Sequence, residues 1–129
     1  MYDKVKFHEV LYSLGIRGWG IKKAPETEEY FLANFKCRTG TGTNDMGNPC
    51  EIMSTNPDDF GVTWSEITTK LAELEAEYDA KAYSRMRARQ YPITPEFIEA
   101  YTEKEIGGDS AKWDAYVVTY NKVRSDNPK

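Results

Sequence analysis

The chain has 129 residues, of which 40% are hydrophobic and 13% aromatic, and its formal net charge is −4. A chain of this length and aromatic content can bury a core and does not have the composition of a disordered protein, and its acidic balance argues against a general nucleic-acid-binding protein. No apolar run approaches a membrane span and the first residues lack the apolar region of a signal peptide, so we expect one soluble domain, or a small domain with a helical appendage, made in a cytoplasm.

The first predicted element is an amphipathic helix over residues 3–14, with Asp3 as N-cap and Gly15 as its stop. The apolar residues at helical spacing are Phe7, Val10, Leu11 and Leu14. A strand through residues 5–7 is the alternative. The glycine-rich residues 15–23 predict a tight connection with a short strand, because their glycines do not follow the order of a dinucleotide-binding motif.

Residues 24–40 predict a second helix. Pro25 suits the first helical position, and the glutamates after it suit the positive end of the helix dipole. Phe31 and Phe35 have i, i+4 spacing and are expected to pack together. Basic side chains in the last turn and Gly40 after it predict the end of the helix.

Residues 40–61 predict one long Gly-rich loop, because Gly, Thr, Asn, Asp, Ser and Pro dominate them. A loop of this length in a small domain is usually functional, mobile or held by a partner, so we expect it to contact neighbouring molecules. Calcium is an alternative that would use Asn44, Asp45, Asp58 and Asp59, although the spacing lacks the pattern of an EF-hand. The simpler interpretation is that Asn56 and Asp58 form Asx turns.

Two cysteines, Cys37 and Cys50, flank part of this segment. A disulfide between them would close a loop of about 14 residues, but a reducing cytoplasm favours free thiols. His8 is the sole histidine, so a zinc site lacks ligands. We predict neither a metal nor a cofactor.

Residues 63–90 predict one long helix. Thr63 and Glu66 have the spacing of a capping box, and acidic residues precede basic ones along the helix, the order that its dipole favours. The predicted apolar stripe consists of Ile67, Leu71, Leu74, Tyr78, Ala82 and Met86. Heptad spacing lasts for only about two heptads, which favours a helix packed on its own domain or on a partner over a coiled coil.

Residues 91–129 predict a helical hairpin. Pro92 ends the long helix, Thr94 is the expected N-cap of the next helix with Pro95 after it, and Gly107 is its expected C′ residue. The last helix is expected to begin at Asp109 or Ser110. Its apolar positions are Trp113, Tyr116, Val117, Tyr120 and Val123.

The predicted fold is therefore mainly α, with an N-terminal helical region that includes a short extended segment and the long loop (1–62), a long central helix (63–90) and a C-terminal αα-hairpin (91–129). The residues expected to anchor the core or an interface are large and apolar: Trp19, Phe31, Phe35, Trp64, Ile67, Leu71, Leu74, Tyr78, Trp113, Tyr116 and Tyr120. Nothing in the sequence pairs a nucleophile with a base, so we predict no enzymatic activity. A small enzyme or metal-dependent factor using His8, Asp58 and Asp59 is the alternative.

Three stretches carry a resemblance to a known group of proteins. KFHEVLYSLGIRGWGIK (6–22) and STNPDDFGVTWSEITTKLAELEAEYDA (54–80) resemble the N-terminal region of small proteins of tailed bacteriophages, notably marine and cyanobacterial phages. RARQYPITPEFIEAYTEKEIGGDSAKWDAYVVTYNKVRSDNPK (87–129) resembles a C-terminal module of phage tail and tail-fibre-associated proteins. That module usually contains Tyr-Pro-Pro-Ile, whereas here the second proline is displaced to Pro95.

This resemblance implies a virion structural protein of the tail, baseplate or tail fibres that acts through protein–protein contacts in several symmetry-related copies. The implied partners are other phage structural proteins, with no nucleic acid, membrane or small-molecule substrate. The alternative within the same group is a cytoplasmic chaperone of tail or tail-fibre assembly that is absent from the mature particle. The shared motifs are structural, so no functional residue is carried over.

Overall fold

The computed structural model describes residues 1–129 and confirms the mainly helical fold, with a small antiparallel sheet. The chain forms two units, which we call the N-terminal unit (Met1–Tyr78) and the C-terminal unit (Asp79–Lys129). The predicted three-part division differs, because the predicted long helix contributes to both units. None of the helices combines the length and apolarity needed to span a membrane.

Helix α1 spans Phe7–Ser13 and is shorter than the predicted helix over residues 3–14. It begins after Lys6, not after Asp3, because the backbone N–H of Lys6 donates to the Glu9 carboxylate at 2.5 Å. It ends as predicted, with Gly15 in the left-handed region at φ 78°. The connection that follows contains the short strand β1, Trp19–Gly20.

Helix α2 spans only Glu28–Asn34, so the prediction of a helix over residues 24–40 was wrong at both ends. Thr27 begins it, with the Thr27 Oγ1 accepting from the Tyr30 N–H at 3.2 Å; Pro25 therefore lies before the helix and not at its first position. The chain becomes extended at Phe35, and the threonines after it favour a strand because they are β-branched.

The predicted long loop over residues 40–61 was also wrong, because most of it forms a β-hairpin. Strand β2 (Lys36–Thr43) pairs antiparallel with strand β3 (Pro49–Ser54), and β1 pairs with the start of β2, so the sheet order is β1-β2-β3. At the tip, the Asn44 Oδ1 accepts from two backbone N–H groups, and Gly47 has φ 79°. A 3-10 helix over Pro57–Asp59 follows the hairpin.

The core of the N-terminal unit is a cluster of apolar side chains from both helices, the sheet and the segments around them. Phe35 is at its centre, with its ring 4.9 Å from the rings of Phe31 and Phe60. The buried members are Val5, Phe7, Val10, Leu11, Phe31, Phe35, Cys37, Phe60, Val62, Ile67 and Leu71. Because α1, α2 and β2 contribute together with residues 60–71, this one cluster packs these parts of the unit against one another.

Helix α3 spans Trp64–Ala80 and begins at the predicted capping box. The Glu66 carboxylate accepts from the Thr63 backbone N–H at 2.7 Å, and the Thr63 Oγ1 accepts in return from the Glu66 N–H at 3.2 Å. The apolar stripe is buried at Ile67 and Leu71 and half-buried at Leu74, but Tyr78 is exposed.

The prediction of one uninterrupted helix over residues 63–90 was wrong, because the helix breaks at Lys81, where φ is −94° and ψ is 8°. Helix α4 then spans Ala82–Gln90. Lys81 is neither proline nor glycine, so the break has no local steric cause. It follows the end of the buried stripe, since helices in proteins depend on packing more than on intrinsic propensity.

The C-terminal unit contains α4, α5 (Thr94–Glu105) and α6 (Ala111–Asp126), and α5 and α6 form the predicted hairpin. The N-cap of α5 differs from the prediction by one residue, because it is Ile93 and not Thr94. Gly107 follows the C-cap Ile106 and is the C′ residue as predicted, and the positive φ of 71° is at Gly108. The Asp109 carboxylate accepts from the Ala111 N–H at 2.9 Å, and α6 starts after Ser110 as predicted.

Substitution of Phe35 tests whether the aromatic cluster controls the N-terminal unit. We expect Phe35→Ala to lower the free energy of unfolding by about 3–5 kcal/mol, because it leaves a cavity between three rings. Leu32→Ala, at a position that is 43% exposed in the preceding helix, should cost less than about 1 kcal/mol. Urea denaturation followed by circular dichroism measures both, and equal losses would contradict the central position of Phe35.

Glu66 makes the start of α3 sensitive to acid. Hydrogen bonds from the Thr63 backbone and hydroxyl lower the pKa of Glu66 below its ordinary value near 4.5. Because the folded pKa is lower than the unfolded pKa, the stabilisation is fully present above the ordinary value and is lost as the pH falls through the folded one. We expect Glu66→Ala to lower the thermal midpoint at pH 7 and to converge with the wild type as the pH falls below the folded pKa of Glu66. Glu77→Ala, at an exposed position of the same helix, is the control; a difference from wild type that persists unchanged at acid pH would refute the assignment.

Candidate protein–protein interface

A continuous series of aromatic rings connects the three helices of the C-terminal unit. We call it the aromatic ladder, and it consists of Tyr91, Tyr120, Tyr116, Phe97, Trp113 and Tyr101. At one end the rings of Tyr91 and Tyr120 stack at 5.1 Å, and at the other the rings of Tyr101 and Trp113 meet edge to face at 5.9 Å. Phe97 lies between them, 5.5 Å from Tyr116. Each such pair contributes about 0.5–1.5 kcal/mol beyond the area it buries.

Polar contacts hold the helices beside this ladder. Lys112 at the start of α6 bonds both Glu99 and Glu103 of α5, and the hydrogen bonds of Glu103 and then Glu99 raise the pKa of Lys112. At the opposite end, the Arg87 Nε donates to the Asn127 carbonyl at 2.8 Å, which satisfies a backbone acceptor at the end of α6. The three helices therefore have defined neighbours although their shared core is small.

The C-terminal unit buries very few side chains completely. Of its 51 residues, only Ala100 and Val123 are buried, against eleven in the core cluster of the N-terminal unit. The rings of the ladder are half-buried or exposed. A three-helix unit of this size needs a larger apolar core than this to be stable alone, so its apolar surface has the character of an interface.

Part of the exposed apolar surface of the αα-hairpin adjoins the ladder. Ile98 and Tyr101 on α5 are 56% and 48% exposed, and Val117 on α6 is 36% exposed. Helical spacing puts Val117 beside Trp113 and Tyr120, whereas Val118 lies about 100° further around α6. We call the outer edges of the ladder, together with Ile98 and Val117, the aromatic face.

The predicted anchor residues fall into two groups. Those of the N-terminal unit lie in or against its core, where Phe31, Phe35, Ile67 and Leu71 are buried and Trp19, Trp64 and Leu74 pack against them half-buried. Tyr78 is the exception and is 40% exposed. Trp113, Tyr116 and Tyr120 of the C-terminal unit are half-buried members of the ladder. The same residue types thus serve a closed core in one unit and an open face in the other.

Sequence reasoning missed the other members of the face as candidate site residues. Tyr91, Phe97, Ile98 and Tyr101 were not among the predicted anchor residues. The available signal was the number of apolar positions on each helix. A hairpin needs one apolar stripe per helix, whereas α5 and α6 carry apolar residues over more of their circumference than they can bury on each other.

The candidate acid and metal residues are not brought together. The Asp59 carboxylate accepts from the Ser54 hydroxyl at 2.6 Å, and the Asn56 Oδ1 accepts from the Asp58 N–H, so these residues build the turn before α3. No three His, Cys, Asp or Glu side chains are grouped so as to hold a metal ion. Both thiols are free, and the Cys37 Sγ donates to the Asp59 carbonyl at 3.0 Å.

A cleft of about 420 Å³ in the N-terminal unit is the other surface of note. Trp19 and Tyr2 line it together with the lysines at 6, 22 and 23. Burial, and then the charge of Glu26, raises the pKa of Tyr2 to about 12, and its hydroxyl is buried without a hydrogen-bond partner. The phenol therefore stays protonated at neutral pH and is not placed to act as a base.

Comparisons with protein-family models, with curated proteins and with solved structures return no match. The resemblance to tailed-phage proteins therefore stays a prediction from the motifs, and the aromatic face is argued from geometry alone.

Substitution within the ladder tests its contribution to the C-terminal unit. We expect Tyr120→Ala to destabilise this unit by roughly 1–3 kcal/mol, because it removes the stacked pairs with Tyr91 and Tyr116. Val118→Ala, at an exposed position of the same helix, should be nearly neutral. Near-ultraviolet circular dichroism during thermal unfolding reports the loss of ring packing, and equal melting of the two variants would argue against the ladder.

Proposed function

We propose that the chain is a non-enzymatic structural protein of a tailed-bacteriophage virion, located at the tail, baseplate or tail fibres and acting through protein–protein contacts. The observation that carries the proposal is the aromatic face, an apolar surface on a unit that buries only two of its residues. A group of exposed apolar side chains on a small protein often marks a protein–protein contact. The motifs of residues 6–22, 54–80 and 87–129 supply the phage context.

The composition of the face suits an interface. Tyrosine, tryptophan and phenylalanine bury much area with few rotatable bonds, and they are enriched where proteins meet. Charged residues lie beside and over the rings; the Lys104 ammonium, for example, lies over the Trp113 ring, 4.8 Å from its centre. An apolar centre with a charged rim is the usual organisation of a specific protein contact.

The N-terminal unit suits a rigid attachment. Its core is closed around Phe35, and its hairpin leaves the outer edge of β3 and most of the free edge of β2 without a strand partner. Such edges can accept a strand from another chain. We therefore expect the β-hairpin, and not a loop over residues 40–61, to make the partner contacts.

Peptide mass spectrometry of purified particles of the phage that encodes the chain tests the proposal. We expect the protein in the particle at a copy number near a multiple of three or six, as tail symmetry requires. Known tail proteins provide the internal standard for the count. Absence from particles together with abundance in the lysate of infected cells would reject the virion proposal in favour of an assembly chaperone.

A further inference from the structure

We infer that the aromatic face binds a second copy of this chain, with the two αα-hairpins packed face to face about a two-fold axis. This inference rests on the proposed function in that it names the first partner of the face. Two properties of the C-terminal unit support it: the division of charge between its two ends and its small core.

Charge is divided between the two ends of the C-terminal unit. The turn end of the hairpin, residues 99–114, carries five acidic side chains and two lysines, whereas the remainder of the unit carries seven Lys or Arg and three acidic side chains. The contacts of the ladder show that these are spatial ends. Tyr91 stacks on Tyr120 near the basic helix α4, and Tyr101 meets Trp113 at the turn end.

A two-fold axis perpendicular to the helices of the hairpin brings unlike charges together. In such an antiparallel pair the two copies use the same surface, and the acidic end of one hairpin lies against the basic end of the other. A partner of a single sign would be repelled by one end. A second copy in this orientation has a complementary charge pattern, and opposed charges of this kind set the register of an interface.

The small core of the unit also suits a pair, because only Ala100 and Val123 are buried in it. Four helices around a shared aromatic centre would provide the core that two buried residues cannot, as in a four-helix bundle.

Adjacent valines on α6 offer a matched test. Val117 lies on the aromatic face and Val118 lies about 100° around the helix from it, and both are exposed, at 36% and 68%. Sedimentation velocity of the full-length wild type at tens of micromolar should show a species of twice the 14.8 kDa monomer mass. We expect Val117→Glu to raise the dimer dissociation constant at least about tenfold, because it places two like charges in the apolar centre, and Val118→Glu to leave it unchanged.

Circular dichroism checks that both variants keep the wild-type helix content. A monomeric wild type at 100 μM, or equal weakening by both substitutions, would overturn the inference. A monomer that is nevertheless present in particles would reject the pair and leave the proposed function standing. A dimer that is absent from particles would reject the function and leave the pair.

Discussion

The structure of the C-terminal unit depends on tilted and edge-to-face contacts of aromatic rings between α5 and α6. With only Ala100 and Val123 buried, aliphatic packing contributes little, and the rings of Phe97, Tyr116 and Tyr120 provide the contacts that hold the helices together. Rings can do this while remaining half open, because a stacked pair excludes water from its shared surface and leaves its outer edges accessible. A unit built in this way necessarily offers an apolar surface.

The N-terminal unit, in contrast, is stabilised by a closed apolar core. Phe31 and Phe35, one turn apart at the end of α2, lie against Phe60, while Ile67 and Leu71 of α3 are buried in the same cluster. Helices, sheet and 3-10 turn surround the rings from several directions, so little apolar surface is left. One chain therefore contains a closed unit that is stabilised by its core and an open unit whose aromatic rings stay half-buried or exposed.

The features predicted correctly are those determined by a few neighbouring residues. The capping box of Thr63 and Glu66, the stop at Gly15 and the short strand at Trp19 each depend on local chemistry, as does the hairpin of α5 and α6. The β-hairpin was missed because Gly40 and Gly42 alternate with threonines and read as loop residues, since glycine is depleted in strands. Its signal was the turn containing Asn44 and Gly47, with strand-forming residues on both sides.

The features that could not be predicted concern burial, because burial depends on which side chains the rest of the fold covers. The stripe that continues from Leu74 through Tyr78 has the right spacing, but Tyr78 is 40% exposed, and the helix breaks at Lys81 beyond the last buried position of the stripe. Spacing likewise identified Trp113 and Tyr120 as apolar positions of one helix without showing that they remain half open. Periodicity shows which side chains share a side of a helix, whereas burial depends on the whole fold. The aromatic face is a consequence of that difference, because its rings have the spacing of core positions and stay half-buried or exposed in the folded chain.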